Sequence, residues 1–210
     1  MCKYFYFFLT FSFIFTTSYS SIFAQDSEEI LLKKSFEIVK SLEKSNYESV
    51  SKHVHSERGL QFSPYDRDKL TKKKSEKFPN NVPNITKFEK DQLLSFYDSD
   101  TVYTWGNFDG SGFHIKLTPH EYHKRFIYDI DYLKKAKPIY IPNKKTKKWK
   151  KKWRTVKYIF KAYPNSEIIQ FKYKGTPGAA YNDFKNLNLV FEKIDRDWSL
   201  IAIVHGEKTI

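Results

Sequence analysis

Apolar residues recur at helical spacing at the start of the chain and predict an amphipathic helix. They fall on one broad face and are Leu31, Leu32, Phe36, Ile38, Val39 and Leu42. Asp26 and Glu29 suit the N-cap and first turn of this helix, where acidic groups are stabilised. Ser45 and Glu48 form a second capping box, which predicts a short second helix.

The middle of the chain alternates between loop-like stretches and short predicted elements. Residues 55–90 are loop-like because prolines and a glycine interrupt the apolar pattern, and a short helix is expected over 89–97. A strand over 101–106 then leads into a glycine-containing turn. The run from Thr118 to Glu121 (TPHE) predicts a capped helix that reaches about Tyr128, with threonine as cap and proline at the first helical position.

Strand-like runs dominate the C-terminal part of the chain. They cover residues 156–163, 166–173, 187–194 and 198–205. Helices followed by a series of strands predict an α+β domain, in which N-terminal helices pack on one face of an antiparallel sheet. The last strand ends at His205, and strict alternation places this histidine on the same face as Ile203 and Ile201.

The first 24 residues have the features of a cleaved secretory signal peptide. Lys3 is the only charged residue before Asp26, and an almost purely apolar run over 4–15 precedes a small, polar stretch that ends at Ala24. The apolar run is shorter than the ~20 residues that span a membrane. The sequence therefore predicts a bacterial protein exported to the periplasm or the medium, and not an integral membrane protein after cleavage.

Signal cleavage defines the expected domain organisation. The mature chain is predicted to be a single α+β domain over 25–210 with a basic loop at about 134–154. The only cysteine, Cys2, leaves with the signal, so the mature domain is expected to fold without disulfides.

The formal net charge of +13 is concentrated in one segment. Residues 134–154 contain eleven Lys and Arg and no acidic residue, whereas the rest of the mature chain is nearly neutral. This segment is either a solvated loop or a contact for an anionic surface. Since an exported protein seldom meets nucleic acid, envelope polymers or lipid headgroups are the expected partners. The candidate surface residues are Lys147, Lys148, Trp149, Lys150, Lys151, Lys152 and Trp153.

The final hairpin, LVFEKIDRDWSLIAIVH, follows a long and a short predicted helix and resembles the nuclear transport factor two-like superfamily, with Arg196 in place of the glycine often found in its turn. The blocks FSPY at 62–65, VYTWGNFDGSG at 102–112 and EYHKRFIYD at 121–129 are similar to an uncharacterised bacterial exported family of this fold. The resemblance implies a curved antiparallel sheet closed by helices into a cone, with a ligand pocket at its open end. It assigns no activity.

Residues that could serve such a pocket fall into two groups. The candidate ligand contacts are Tyr65, Trp105 and Arg125, and the candidate acid–base groups are His55, Asp109 and His205. Imidazole titrates near neutrality and a carboxylate can fix its tautomer, so a His–Asp pair suits proton transfer. His120 and His123 lack the further ligands that would complete a metal set, so no metal or cofactor is predicted.

The sequence favours a non-catalytic exported domain that binds a small ligand or an envelope component in the cone pocket. A phosphate-binding loop, a dinucleotide fingerprint and the serine-hydrolase elbow are all absent from the sequence. Two alternatives stay open. One is a lyase, isomerase or hydrolase that uses a His–Asp pair in the pocket, and the other is association with anionic polymers or lipids through the Lys/Trp segment.

Overall fold

A computed structural model describes residues 27–66, 86–109, 111–143 and 156–208 of the chain. Its helices are α1 (27–43), α2 (Tyr47–Ser51), α3 (Pro119–Tyr122), α4 (Tyr132–Lys135) and α5 (Lys157–Ala162). Its strands are β1 (Leu60–Ser63), β2 (Thr86–Phe88), β3 (Tyr103–Asn107), β4 (His114–Leu117), β5 (Lys137–Ile141), β6 (Ser166–Tyr173), β7 (Lys185–Ile194) and β8 (Asp197–Glu207). A π-helical turn over His123–Ile127 continues α3.

Six of the strands form one largely antiparallel sheet in the order β2-β1-β8-β7-β6-β5. The strands β5 to β8 pair as an antiparallel meander, whereas β1 pairs with β8 in parallel. The strands β3 and β4 form a separate hairpin. This mixed architecture, with helices packed on the sheet, confirms the predicted α+β class. The cone shape of the resembled superfamily stays a prediction.

The six-stranded sheet is covered on both faces. Alternate residues of β6, β7 and β8 enter two different cores, as the two-residue period of a strand requires. One core holds residues of α1, α2 and the β3–β4 hairpin, and at its centre Trp105 stacks on Tyr122 with ring centroids 3.8 Å apart. The other core is formed with Ile159 and Phe160 of α5. The expectation of helices on one face only is therefore wrong.

The second face is covered because residues 156–163, predicted as a strand, contain α5. Four of these residues are buried at positions i, i+3, i+4 and i+7, which is the helical period. They are Val156, Ile159, Phe160 and Tyr163. The same run also satisfies strand propensity through its β-branched and aromatic residues, which explains the wrong prediction.

The predicted loop over 55–90 contains two short strands, β1 and β2. Gly59 precedes β1 with a φ of +64°, and a Cβ there would lie 2.5 Å from the carbonyl oxygen of Phe88. Glycine is therefore needed for the close approach of these two strands. Where a helix was expected over 89–97, the chain makes a single 3₁₀ turn over Asp91–Leu93.

Two helix caps test the predicted starts. The capping box at Thr118 is confirmed, since Glu121 Oε2 accepts the Thr118 N–H at 2.8 Å and Thr118 Oγ1 accepts the Glu121 N–H at 3.3 Å. The second helix is capped by Asn46, not by Ser45, because the Asn46 side chain accepts the Ser49 N–H at 2.9 Å.

A bulge in the last hairpin changes the face of one residue in β8. Phe191 pairs with Leu200 while Val190 pairs with Ala202, so Ile201 is the extra residue. Ile201 therefore lies in the core formed with α5, whereas Ile203 lies in the other core. The expected grouping of Ile201 with Ile203 is wrong.

Two predicted segments lie outside the described residues, the signal peptide over 1–24 and the Lys/Trp segment over 147–153. The described part of the basic segment contains the end of α4 and all of β5, so that part is not a loop. No helix among the described residues is long and apolar enough to cross a membrane.

Candidate functional site

Five charged or titratable side chains meet where β7 and β8 lie against the π-helical turn. This charge cluster consists of Arg125, Asp129, Lys185, His205 and Glu207. His205 and Glu207 are two residues apart on β8 and so share a face, and Lys185 of β7 is the register partner of Glu207. The π-helical turn supplies Arg125, and Asp129 follows it.

His205 is completely buried, and both of its ring nitrogens face oxygen atoms. Nε2 lies 3.2 Å from Asp129 Oδ2, and Nδ1 lies 3.2 Å from the backbone carbonyl oxygen of Pro64. The Phe126 ring packs against the imidazole with centroids 5.7 Å apart. A carbonyl and an ionised carboxylate only accept, so both contacts are hydrogen bonds only when both nitrogens carry hydrogen.

Asp129 is held by three donors. Besides His205, the Tyr132 hydroxyl donates to Oδ1 at 2.8 Å and the Lys185 ammonium lies 2.9 Å from Oδ2. Burial alone raises the pKa of Asp129, but the hydrogen bonds and charges of His205 and Lys185 outweigh burial and hold this pKa well below its usual range. Burial together with the Asp129 charge raises the pKa of the Tyr132 hydroxyl.

Glu207 is bound by two cations. Arg125 donates to both carboxylate oxygens, at 2.7 and 3.2 Å, and Lys185 donates to Oε2. Burial raises the pKa of Glu207, but the hydrogen bonds from Arg125 and Lys185 lower it further than burial raises it. This two-pronged contact fixes the carboxylate plane as well as its charge.

The cluster contains a His/Asp/Glu grouping of the kind that can hold a metal ion. One donor atom from each of Asp129, His205 and Glu207 lies within 4.8 Å of the others. However, the Lys185 ammonium contacts both carboxylates, so it already supplies the positive charge that a divalent ion would bring. The residues fit a closed network of ion pairs better than a metal centre.

The cluster gives little access to a substrate. The side chains of Asp129 and Glu207 are each 8% exposed and His205 is fully buried. Arg125 is the most exposed member, and its guanidinium is bound to Glu207. Each charge is thus held by an opposite charge within the cluster, an arrangement that joins β7, β8 and the π-helical turn.

The three acid–base candidates do not form a common site. Asp109 lies beside the cluster, since its backbone is hydrogen bonded to the Tyr65 hydroxyl. His55 lies elsewhere and pairs with the exposed Asp195 at 3.5 Å. Its neighbour Val54 bridges to Leu200, five residues from His205 along β8, which corresponds to roughly 16 Å.

The three ligand-contact candidates are largely buried or bound to other side chains of the protein. Trp105 is completely buried and donates its indole N–H to the Leu117 carbonyl at 2.9 Å. Tyr65 is buried and packs edge to face against Phe126. Arg125 reaches the surface but is bound to Glu207. Trp105 and Tyr65 therefore belong to the core.

Asp129, Lys185 and Glu207 were not among the predicted site residues. One signal for Glu207 is present in the sequence, because it stands two positions after His205 on a predicted strand and so shares its face. Asp129 and Lys185 are distant in sequence from each other and from His205. Their approach depends on the register of β7 with β8 and on the bend after the π-helical turn.

A groove lies on the outer surface of α1, beside α4. It has a volume of about 410 Å³ and is lined by Lys33, Phe36, Glu37, Lys40 and Leu133. Phe36 was expected to face the core, but it is 44% exposed. Its ring packs edge to face on Phe171 of β6, with centroids 5.7 Å apart, so one side of the ring is anchored and the rest faces the groove.

Comparison of the chain with models of protein families, with curated proteins and with solved structures finds no match.

Proposed function

We propose that this protein is an exported, non-catalytic domain that binds a small ligand in the groove between α1 and α4. The half-exposed Phe36 in the lining of the groove is the observation that carries the proposal. The groove volume of about 410 Å³ falls within the range of small-molecule sites, which are concave and mostly apolar.

The closed charge cluster also supports binding over catalysis. His205 has the chemistry of a general base, but its ring is enclosed by Asp129, Pro64 and Phe126. A general base must come within hydrogen-bond reach of the proton that it removes. Here Asp129, Pro64 and Phe126 occupy the positions around the His205 ring that a substrate would need.

A neutral fluorescent probe tests the proposal. N-phenyl-1-naphthylamine is apolar, uncharged and of a size that suits the groove. Its fluorescence is titrated with the full chain and with Phe36→Ala. We expect the substitution to weaken binding by about tenfold, since an aromatic contact contributes roughly 1–1.5 kcal/mol.

Phe113→Ala is the matched control, because Phe113 is 76% exposed in the β3–β4 hairpin and does not line the groove. It should bind the probe as the unchanged chain does. Equal affinities for the Phe36 and Phe113 variants would contradict the proposed site.

Acid–base catalysis is a second candidate, favoured by the 3.2 Å contact between His205 and Asp129. It requires a substrate to reach the His205 ring. A ligand that shifts the ring resonances of His205 in an NMR titration, and leaves Phe36 unchanged, would favour this function over groove binding. Association with anionic envelope surfaces through the Lys/Trp segment stays a prediction.

A further inference from the structure

The side chains that line the groove combine apolar and basic residues. Phe36 and Leu133 provide the apolar surface. Lys33 and Lys40 line the same groove, and lysine side chains extend the apolar area through their methylene groups while keeping the ammonium in water.

Resting on the proposed function, we infer that the ligand is an amphipathic anion, with an apolar body that lies on Phe36 and Leu133 and one negative group that binds Lys33 or Lys40. Lys33 and Lys40 are seven positions apart on α1, which places them on the same side of the helix and about 10.5 Å apart along it. A ligand with an apolar body of that length can keep its charge at either end of the groove.

The two lysines differ from their neighbour Lys34. The Lys34 ammonium lies 3.1 Å from Asp197 and donates to the Trp198 carbonyl at 2.9 Å, so its charge is used within the fold. Among the described residues, neither Lys33 nor Lys40 has an acidic group within ion-pair distance. Their positive charges are therefore available to an anion from outside.

Among the described residues that line the groove, Glu37 is the only acidic one, so its removal tests which sign of ligand charge the groove accepts. Its Oε2 lies 3.9 Å from His53 Nε2. With two lysines and one glutamate, the lining has a net charge of +1. Removal of the Glu37 charge should strengthen the binding of an anion and weaken the binding of a cation.

A pair of probes that differ by one charge tests the inference. 1-Anilinonaphthalene-8-sulfonate is N-phenyl-1-naphthylamine with a sulfonate added, so comparing the two in the full chain at low salt isolates the effect of the anion. We expect the affinity for the sulfonate to be at least about threefold higher than that for the neutral probe. This difference should disappear at high salt, where exposed charges are screened.

Substitutions then locate the effect. Lys33→Ala and Lys40→Ala should each weaken sulfonate binding by about threefold more than they weaken binding of the neutral probe, which loses only the methylene contacts, whereas Glu37→Gln should strengthen sulfonate binding. Lys172→Ala is the control, because it removes the same charge from an exposed residue of β6 outside the groove.

The outcomes separate the inference from the function on which it rests. If the neutral probe depends on Phe36 but the sulfonate binds no more tightly and ignores both lysines, the inference is wrong and the proposed function stands. If neither probe depends on Phe36, the proposed function itself is wrong. A Glu37→Gln variant that binds the sulfonate more weakly would also overturn the inference.

Discussion

The charge cluster and the groove use similar residues in opposite ways. In the cluster, Arg125 and Lys185 are bound to carboxylates that are almost completely buried. In the groove, Lys33 and Lys40 lie at the surface with no acidic partner among the described residues, beside a phenylalanine that is only partly packed. The charge cluster, which contains the acid–base groups, is thus closed to ligands. The groove, which has only lysines, a glutamate and apolar side chains, is open.

This difference indicates how the two regions contribute to the protein. Buried ion pairs must be well paired, because an unpaired buried charge is strongly unfavourable. Loss of one partner in the cluster should therefore weaken the contact of β7 and β8 with the π-helical turn. Exposed lysines contribute little to stability, so Lys33 and Lys40 are free to serve recognition.

The largest expected effect comes from removing one charge of the cluster. Asp129→Asn leaves His205 without its carboxylate partner, and leaves Lys185 with Glu207 alone, in a buried site. We expect the free energy of unfolding at pH 7 to fall by about 3 kcal/mol or more, as for other broken buried pairs. Chemical denaturation followed by circular dichroism measures the change.

The exposed pair of His55 and Asp195 provides the control. The Asp195 side chain is 89% exposed, so Asp195→Asn should change the free energy of unfolding by no more than about 0.5 kcal/mol. Similar losses for the two variants would show that burial does not distinguish the cluster.

The next largest effect is a pH-dependent loss of stability that comes from a second buried histidine, His123. His123 in the π-helical turn faces hydroxyl groups instead of carboxylates, with the Tyr47 hydroxyl 2.8 Å from Nδ1. Burial, aided by the charges of His120 and Lys124, lowers the pKa of His123 from 6.5 to about 4. Below pH 6.5 the unfolded chain therefore binds a proton that the folded protein excludes.

The protein should lose stability as the pH falls from about 6.5 to about 4, by roughly 3 kcal/mol from His123 alone. His123→Gln cannot titrate and should remove this part of the pH dependence, whereas His120→Gln should keep most of it, because burial is the larger cause of the lowered His123 pKa. Urea unfolding curves at pH 7, 6, 5 and 4 measure the slope. An unchanged slope in His123→Gln would assign the dependence to other groups.

Apart from the Asp195→Asn control, the smallest expected effect on stability is at the groove. Phe36→Ala removes a ring that is only partly buried, so we expect the free energy of unfolding to fall by about 1 kcal/mol, well below the Asp129→Asn effect. Thermal unfolding of the two variants measures the ranking. A Phe36→Ala loss as large as that of Asp129→Asn would mean that Phe36 belongs to the core and not to a binding surface.

Local patterns in the sequence predicted the elements whose signals are local. The meander of β6, β7 and β8 and the capping box at Thr118 follow from alternation and from a cap within four residues. The run 156–163 is ambiguous, because its apolar residues fit both periods and only packing on the second face of the sheet selects a helix.

The site depends on contacts between distant parts of the chain. His205 was a candidate from its position on the last strand, but Asp129 lies 76 positions away and no local pattern connects the two. Phe36 has the helical spacing of a core residue, and its partial exposure depends on tertiary packing that the local pattern does not show.

Mapping the position of a bound probe by NMR tests most directly whether the groove, and not the charge cluster, is the binding region. Backbone amide spectra of the full chain are recorded while N-phenyl-1-naphthylamine is added. We predict shifts concentrated at Lys33, Phe36, Glu37, Lys40 and Leu133, with the amides of Asp129, His205 and Glu207 unchanged. Shifts concentrated at Asp129, His205 and Glu207 would contradict groove binding and indicate that the charge cluster opens to ligands.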